Sequence, residues 1–412
     1  MFYRIPTFVI CLLVFVQVLF AQDFHTIDST IEKQIQQHKV SGAVAMIIHK
    51  NKVVFDKAYG YADYANQQPM TTESIFRIAS QTKAIVSVAF LQLVEAGKIG
   101  LDESVEKYIP AFRSQQVAVV EKDSIKLVAK NRSITIRDLL SHQSGISSSD
   151  EYPKLKKLFA QYQLDRPLNT AFNSLEEEVN QIAKMPLAHQ PGDRFSYGLS
   201  TNVIGRLIEI VSGESLDNYL VKHIFTPLQM KDTYFYLPKE KQSRLVKVYM
   251  NKKADSLLEV TADIYPINYP NAENKGYYSA IGGLVSTTHD YAKFLTCLLA
   301  DGVYSKNKKL LKKETIDGFT SNQLGEKTFV FGGMKSLNNF GLGVGLTTKQ
   351  GVILNNASEG SFFWGGAFNT AYMVDKKRNL ITLFYFQRVP FDLPPVLSGL
   401  EKQTIRAIDQ QK

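Results

Sequence analysis

Cysteine is almost absent from this chain. Its 412 residues include two cysteines, Cys11 and Cys297, and Cys11 lies in an apolar segment at the N-terminus. The remaining chain has a single thiol, which excludes an intramolecular disulfide and a cysteine metal cluster. The apolar neighbours of Cys297 ("FLTCLLA") predict a small buried core residue.

Several common catalytic motifs are missing as well. The sequence has no Gly-x-Ser-x-Gly elbow, which argues against an α/β-hydrolase. It has no His-Glu-x-x-His zinc motif, no phosphate-binding loop and no dinucleotide fingerprint. The seven histidines show no metal-ligand spacing.

The bulk composition is that of an ordinary globular protein. The chain is 44% hydrophobic and 21% charged, and it contains no low-complexity tract and no repeat of about 20–50 residues. The net charge of +9 comes from scattered lysines, which predict a solvated basic surface and allow a transient association with an anionic cell envelope. We find no nucleic-acid-binding module, and the oligomeric state stays open.

The N-terminal segment predicts export. In "MFYRIPTFVICLLVFVQVLFAQDF", Arg4 precedes an apolar stretch over 8–20, and polar residues resume at Gln22. This order is typical of a secretory signal peptide, here residues 1–21. A membrane anchor is the less favoured alternative because the stretch is short for a span. We therefore expect a periplasmic or secreted protein.

Strand patterns occupy both ends of the chain, and helix patterns occupy its middle. Near the N-terminus, the pattern over 41–64 predicts a buried hairpin, and patterns typical of helices and of a second, small hairpin follow from 84 onwards. Near the C-terminus, strands are expected at "GLGVGLTT", "VILNNASEG", "AFNTAYMV" and "NLITLFYFQ", before a final helix over 397–410. The order predicts an α+β fold whose sheet is built from both chain ends, with helices inserted between them.

The stretch "RIASQTKAIVSVAF" holds the first candidate for chemistry. Ser80 and Lys83 lie three residues apart where an apolar helix begins, so both side chains fall on one face, near unpaired backbone N–H groups. A lysine held against apolar walls loses proton affinity and can act as the base for the serine. The alternative is an N-capping serine with a surface lysine. A second Ser-x-x-Lys, starting at Ser305, lies in a lysine-rich polar stretch and is predicted to be surface.

Two further stretches could complete such a site. In "FSYGLSTNVIG", Tyr197 precedes a helix within a Gly/Ser-rich turn, where a phenol could reach the serine and move protons. In "GSFFWGGAFNTAYMVD", the single tryptophan, Trp364, precedes two glycines that let a ligand approach an edge strand closely. A backbone N–H at Ala367 or its neighbour could then face an oxyanion. In isolation, an ordinary packed tyrosine and a glycine-rich bend remain the alternatives.

Together and in this order, the three stretches resemble the serine hydrolases related to class C β-lactamases. That family includes penicillin-binding DD-peptidases, D-amino-acid peptidases and β-lactamase-like esterases. Four other stretches are similar to the family pattern: "ITIRDLLSHQSGI" (134–146), "GRLIEIVSG" (205–213), "IGGLVSTTHDYAKFL" (281–295) and "FGLGVGL" (340–346). The resemblance covers about residues 24–395.

The resemblance implies roles for the matched residues. Ser80 corresponds to the acylated nucleophile, Lys83 to its partner in the Ser-x-x-Lys motif, and Tyr197 to the tyrosine that works with the lysine as acid and base. His142 and His289, near matched stretches, are expected to be structural.

The third motif and the oxyanion hole are also implied by the resemblance. Trp364, Gly365 and Gly366 occupy the third motif, which is often Lys-Thr-Gly in β-lactamases, and the N–H groups of Ser80 and Ala367 correspond to the oxyanion hole. The implied substrate is a small acyl compound, with no metal and no organic cofactor.

The resemblance further implies an antiparallel β-sheet flanked by helices, with a mainly helical subdomain beside it. We expect one hydrolase domain over 24–405. Its sheet subdomain comes from about 24–80 and 270–405, and its helical subdomain from about 81–269.

The departures from the β-lactamase pattern indicate the substrate. The second motif is usually Tyr-x-Asn, whereas Leu199 stands at its third position here. Trp364 cannot pair with the carboxylate that β-lactams and peptidoglycan stems carry. A Trp-Gly-Gly motif resembles the esterase branch, so we expect carboxylic esters or related acyl substrates. A β-lactamase, a D-Ala-D-Ala carboxypeptidase, a D-aminopeptidase and a non-hydrolytic wall-fragment sensor remain as alternatives.

Overall fold

The structure is a computed structural model that describes residues 24–121, 124–165, 168, 172–253, 256–273 and 276–410. The predicted signal peptide, residues 1–21, lies outside these residues. Within them the chain forms both helices and strands, and no helix there is both long and apolar enough to cross a bilayer.

The α-helices of the described residues differ widely in length, from three residues to sixteen. They are α1 (His25–Gln36), α2 (Thr82–Glu95), α3 (Ile136–Leu140), α4 (Lys156–Gln161), α5 (Leu175–Lys184), α6 (Ser200–Ser212), α7 (Leu216–Leu220), α8 (Thr226–Leu228), α9 (Thr288–Leu299), α10 (Lys313–Phe319), α11 (Val352–Asn355) and α12 (Pro394–Asp409).

The strands of the described residues are mostly short. They are β1 (Gly42–His49), β2 (Lys52–Asp63), β3 (Gln68–Pro69), β4 (Phe76–Arg77), β5 (Gln116–Glu121), β6 (Ser124–Ala129), β7 (Tyr249–Lys253), β8 (Ser256–Glu259), β9 (Val285–Ser286), β10 (Val303–Ser305), β11 (Lys308–Lys309), β12 (Val330–Phe331), β13 (Met334–Lys335), β14 (Asn339–Phe340), β15 (Gly345–Leu346), β16 (Phe362–Gly366), β17 (Thr370–Asp375) and β18 (Leu380–Tyr385).

One antiparallel sheet joins the two ends of the chain, in the order β14-β15-β16-β17-β18-β1-β2-β3. The closing pair is β1 with β18, in a register that places Val44 opposite Tyr385. The fold is therefore the α+β architecture expected, with an antiparallel sheet and helices around it. The division into a sheet and a helical subdomain stays a prediction.

The sheet separates two apolar layers, because successive side chains of a strand point to opposite faces. In β1, Val44, Met46 and Ile48 belong to the large core that includes α2 and α9. Ala45 and Ile47 face a second core, formed with α1 and α12. The large core lies on the side of the sheet that carries Ser80.

Local signals placed many elements correctly. Hairpins form at β1–β2 and β5–β6, and α2 ends before Gly97. The Ser215 hydroxyl caps α7 by accepting from the Asn218 N–H at 3.3 Å. Gly213, with φ of 74°, ends α6 in the left-handed conformation that favours glycine.

Four local expectations were wrong. The outer strand of the first hairpin, β2, is only partly buried. Ser215 and Pro227 predict a helix that begins at the serine and ends before the proline. Instead, the helical path continues through a π-helical turn (Val221–Phe225) into α8, which contains Pro227. "VILNNASEG" contains the short helix α11, because its four apolar-rich residues are too few to distinguish the two periodicities. The glycine pair of "FFWGG" lies on β16, which is an interior strand paired with β15 and β17.

Candidate active site

Ser80 lies in a single 3-10 turn, Ala79–Gln81, immediately before α2. Ala79 has φ of 42°, so the backbone is turned sharply just before the serine. The side chain of Ser80 is half-buried, whereas α2 behind it is buried almost throughout. The hydroxyl is thus accessible at the positive end of a buried helix dipole.

Lys83 lies one turn after Ser80 and points its amine at the hydroxyl. Its Nζ lies 3.1 Å from Ser80 Oγ and donates at 2.7 Å to the carbonyl oxygen of Ile281. The side chain is buried, and this burial lowers the pKa of Lys83 from 10.5 to about 7. A large fraction of this amine is therefore neutral near pH 7.

Tyr197 approaches the same hydroxyl from the loop before α6. Its OH donates to Ser80 Oγ at 2.8 Å, and the Lys83 nitrogen lies 4.7 Å from the centre of its ring. Burial raises the pKa of Tyr197 to about 12, so the phenol keeps its proton at neutral pH. The three residues predicted from the sequence thus meet at one oxygen atom.

The third predicted stretch, on β16, packs against the turn that carries Ser80. A Cβ atom added to Gly366 would lie 2.4 Å from the Ile78 carbonyl oxygen, so only glycine allows this approach. Ala367 follows directly after this contact. Trp364 is buried, and its ring centre lies 5.6 Å from that of Tyr197.

An aromatic cluster around Tyr197 and Trp364 was missed by the sequence reasoning. Phe331, on the β12–β13 hairpin, contacts both rings, with centre distances of 5.1 Å to Tyr197 and 5.6 Å to Trp364. The His142 ring lies 4.7 Å from the Tyr197 ring, and burial holds the pKa of His142 well below its usual value. A neutral packing role for His142 agrees with this position. His289 instead bonds to Asp56 and Glu73.

An acidic residue near the site also acts on the phenol. Glu151 accepts a hydrogen bond from the Gly332 N–H at 3.0 Å, which ties the loop after α3 to the β12–β13 hairpin. Burial is the main cause of the raised pKa of Tyr197; its hydrogen bonds lower that pKa, and the Glu151 carboxylate raises it. Trp364 adds no positive charge at the third motif. Among the described residues, no group of three or more His, Cys, Asp or Glu side chains could hold a metal ion.

Comparisons with known proteins identify the family of this chain. A lovastatin esterase of Penicillium rubens is 28% identical over 400 residues, covering 92% of this chain and 96% of the relative. A Salmonella typhimurium protein named "Putative D-alanyl-D-alanine carboxypeptidase" is 29% identical over 379 residues, covering 85% and 80%. The crystal structure of simvastatin synthase (LovD) from Aspergillus terreus superposes with a TM-score of 0.76 at 25% identity, covering 94% of this chain and 98% of that one. The Beta-lactamase family model matches residues 27–398, and this chain belongs to that family.

Proposed function

We propose that this protein is an exported serine hydrolase that acts on neutral carboxylic esters through an acyl-enzyme. The position of the Ser80 hydroxyl carries the proposal, because it lies between two proton-transfer groups, Lys83 at 3.1 Å and Tyr197 at 2.8 Å. Export rests on the predicted signal peptide at residues 1–21.

Ser80 becomes a nucleophile when Lys83 loses a proton. A serine oxygen has two lone pairs and one O–H donor. While Lys83 is an ammonium, it and the Tyr197 hydroxyl occupy both lone pairs. The neutral amine instead accepts the serine proton, and the oxygen attacks the substrate carbonyl. Because the pKa of Lys83 is about 7, this form is populated at physiological pH.

Tyr197 supplies the proton that the leaving alcohol needs. Its phenol, with a pKa of about 12, is protonated at neutral pH and gives its proton to the departing oxygen. The phenol is then reprotonated by the ammonium of Lys83, which holds the proton taken from Ser80. The N–H groups of Ser80 and Ala367 stabilise the oxyanion. Water then attacks the acyl-enzyme and gives a proton to Lys83, and this proton returns to Ser80 Oγ as the C–O bond breaks and the acid is released.

The substrate preference follows from the third motif, where Trp364 stands in place of the lysine that is often found in β-lactamases. Binding a carboxylate through a charge-assisted hydrogen bond contributes about 1.5–3 kcal/mol, and Trp364 cannot supply that bond. The Glu151 carboxylate, tied to the hairpin beside Tyr197, repels an anionic substrate further. Neutral esters avoid both penalties.

The relatives leave two candidate activities within the family. The name of the lovastatin esterase supports ester hydrolysis, and that of the carboxypeptidase supports cleavage of D-Ala-D-Ala peptides. We rank the ester first because Leu199 and Trp364 replace the polar groups expected to hold a peptide. Turnover of p-nitrophenyl butyrate, nitrocefin and a D-Ala-D-Ala peptide by the same preparation compares the three. Faster turnover of nitrocefin or of the peptide would contradict the preference.

The nucleophile is tested by covalent labelling. Ser80→Ala is expected to abolish labelling by a fluorophosphonate probe, which reacts with activated serines. Ser305→Ala is the matched control, because Ser305 starts the second Ser-x-x-Lys stretch and lies exposed on β10. Labelling that persists in Ser80→Ala would place the nucleophile elsewhere. An acyl-enzyme that forms but never decays would favour a sensor over a hydrolase.

A further inference from the structure

We propose that Glu178 and Asn202 are positioning residues for the Lys83 base, because they fix the backbone of Ile281, whose carbonyl holds the lysine nitrogen. This inference rests on the proposed role of Lys83 in the hydrolase. The two side chains lie behind the site, on α5 and α6, and nothing in their local sequence connects them with Lys83.

The connection is a series of hydrogen bonds that passes through the backbone of Ile281. Lys83 Nζ donates to the Ile281 carbonyl oxygen at 2.7 Å, and the N–H of the same residue donates to Asn202 Oδ1 at 3.0 Å. Asn202 Nδ2 then donates to Glu178 Oε2 at 2.6 Å. Three short contacts thus link a buried carboxyl group to the amine beside Ser80.

The orientation of the Asn202 amide follows from its partners. The Ile281 N–H can only donate, so the amide oxygen must face it, and the NH₂ group is left for Glu178. The Tyr277 hydroxyl also donates to Glu178 Oε2, at 2.9 Å. With Oε2 held from two sides, Asn202 cannot rotate without losing a buried hydrogen bond.

Burying a carboxyl group here is costly, and within the described part of the chain no cation contributes to offsetting that cost. Glu178 is 5% exposed, and burial raises its pKa to about 7. The titratable group in direct contact with it is Tyr277, and the Tyr236 hydroxyl donates to the Tyr277 carbonyl. Buried polar networks of this kind specify one arrangement of the groups they join.

The network acts on the base in two ways. It keeps the Ile281 carbonyl at a fixed place, so the amine stays within reach of Ser80. When Glu178 is ionised, its buried negative charge also acts through space on the lysine and favours the ammonium form of Lys83. The groups that face Lys83 are Ser80, Tyr197, the Ile281 carbonyl and, electrostatically, His142.

The first test removes the link. Asn202→Leu is expected to lower kcat for p-nitrophenyl butyrate about tenfold or more, because the Ile281 carbonyl is no longer held at a fixed place beside Lys83. KM should change little, because the contacts with the substrate remain. The acid limb of the kcat/KM profile should move to lower pH, since the carbonyl that accepts from the ammonium is no longer held in place. Asn202→Asp keeps the acceptor for the Ile281 N–H, so it should restore most of kcat and return the acid limb to the wild-type pH or above.

The chain offers a matched control at Asn355. Asn355 Nδ2 donates to the buried Glu401 Oε2 at 2.7 Å, and its Oδ1 accepts from the Ala357 N–H at 3.1 Å. This repeats the same chemistry between α11 and α12, in the core on the other face of the sheet. Asn355→Leu should therefore cost similar stability and leave kcat unchanged. An equal loss of kcat in both leucine variants would overturn the proposal.

A second measurement does not depend on activity. The pKa of Lys83 is read by NMR of the protein labelled with ¹³Cε-lysine, with Lys83→Met to assign the signal. Glu178→Gln preserves shape and hydrogen bonding but removes the charge, so it should lower the pKa of Lys83 even if Asn202→Leu does not fold. An unchanged pKa in this variant overturns the inference. Absence of ester turnover and of Ser80 labelling in the wild type would instead contradict the proposed function, and the NMR titration would still test this network.

Discussion

Burying an ammonium group next to neutral partners changes what it can do. The hydrogen-bond partners of Lys83 are a hydroxyl and a carbonyl, and its charge lies over a phenol ring. None of these carries a full negative charge that would restore the ordinary pKa. A lysine that would be a permanent cation on the surface therefore becomes a base near neutral pH.

Ester hydrolysis should consequently increase with pH around neutrality. Since the pKa of Lys83 is about 7, the fraction of neutral amine, and with it kcat/KM, rises as pH increases through that value. The measurement is the pH–rate profile from 5 to 9 in a pH-stat, which avoids the titration of a chromophore. A profile that is flat across this range would show that the base lies elsewhere.

Two variants separate the base from the proton donor. Lys83→Arg keeps a positive charge that cannot be lost, so the rate should fall by about 10²–10⁴-fold at every pH. Tyr197→Phe keeps the packing against Trp364 but removes the hydroxyl, so it should slow acylation while the pH dependence set by Lys83 remains. An unaltered rate in either variant would contradict its assigned role.

At this scale, the sequence predicted side chains better than backbone atoms. Ser80, Lys83 and Tyr197 carry recognisable motifs, and the structure brings them together. The Ile281 carbonyl could not be predicted, because every residue has one and its use depends on a contact 198 positions away in the chain. The Asn202–Glu178 pair was missed for the same reason.

At the scale of elements, the site depends on how closely β16 approaches the turn before α2. The Cβ that an alanine would add at Gly366 meets the Ile78 carbonyl and the Thr370 hydroxyl, each at 2.4 Å. Both neighbours belong to buried, paired segments that cannot move aside easily. The strand and the nucleophile turn therefore form one rigid unit.

Gly366→Ala is expected to destabilise the protein and to impair the nucleophile together. Forcing one methyl group into this contact should lower the free energy of unfolding by about 1–3 kcal/mol, and it should displace Ser80 so that fluorophosphonate labelling slows. Urea unfolding and labelling rates measure both effects. Gly318→Ala, in α10 with open space around it, is the control and should be neutral or slightly stabilising.

Elements with strong local signals were predictable, and those defined by distant partners were not. Caps such as Ser215 and stops such as Gly213 act within a few residues, so the sequence shows them directly. The interior position of β16 is set by pairing with β15 and β17, which a single stretch of sequence does not reveal. The four-residue helix α11 is too short to show a helical period.

For the whole molecule, the sheet places the chemistry on one face and the joined chain ends on the other. On the second face, α1 and α12 pack together, and Thr30 and Gln403 exchange a hydrogen bond between them. This arrangement follows from the pairing of β1 with β18, so the overall α+β class was predictable from strands at both chain ends. The layer in which each helix lies was not, because it depends on which strand face meets it.

Glu401, in that second layer, should make stability depend on pH. Burial raises its pKa from 4.5 to about 7, so between these values the folded protein binds a proton that the unfolded chain has released. The free energy of unfolding then falls as pH rises from 4.5 through 7, with a slope of at most about 1.4 kcal/mol per pH unit from this group.

Glu401→Gln removes that titration while an oxygen remains to accept from Asn355. The variant should therefore gain stability relative to the wild type as pH rises from 5 to 8, because the wild type must ionise a buried carboxyl and the variant need not. Urea unfolding at several pH values gives the difference. Labelling of Ser80 should be unchanged, since the two layers are separated by the sheet. If the free energies of unfolding of the wild type and the variant change in the same way with pH, the Glu401 carboxyl keeps its ordinary affinity for protons. This face of the sheet would then be more open to water than its packing indicates.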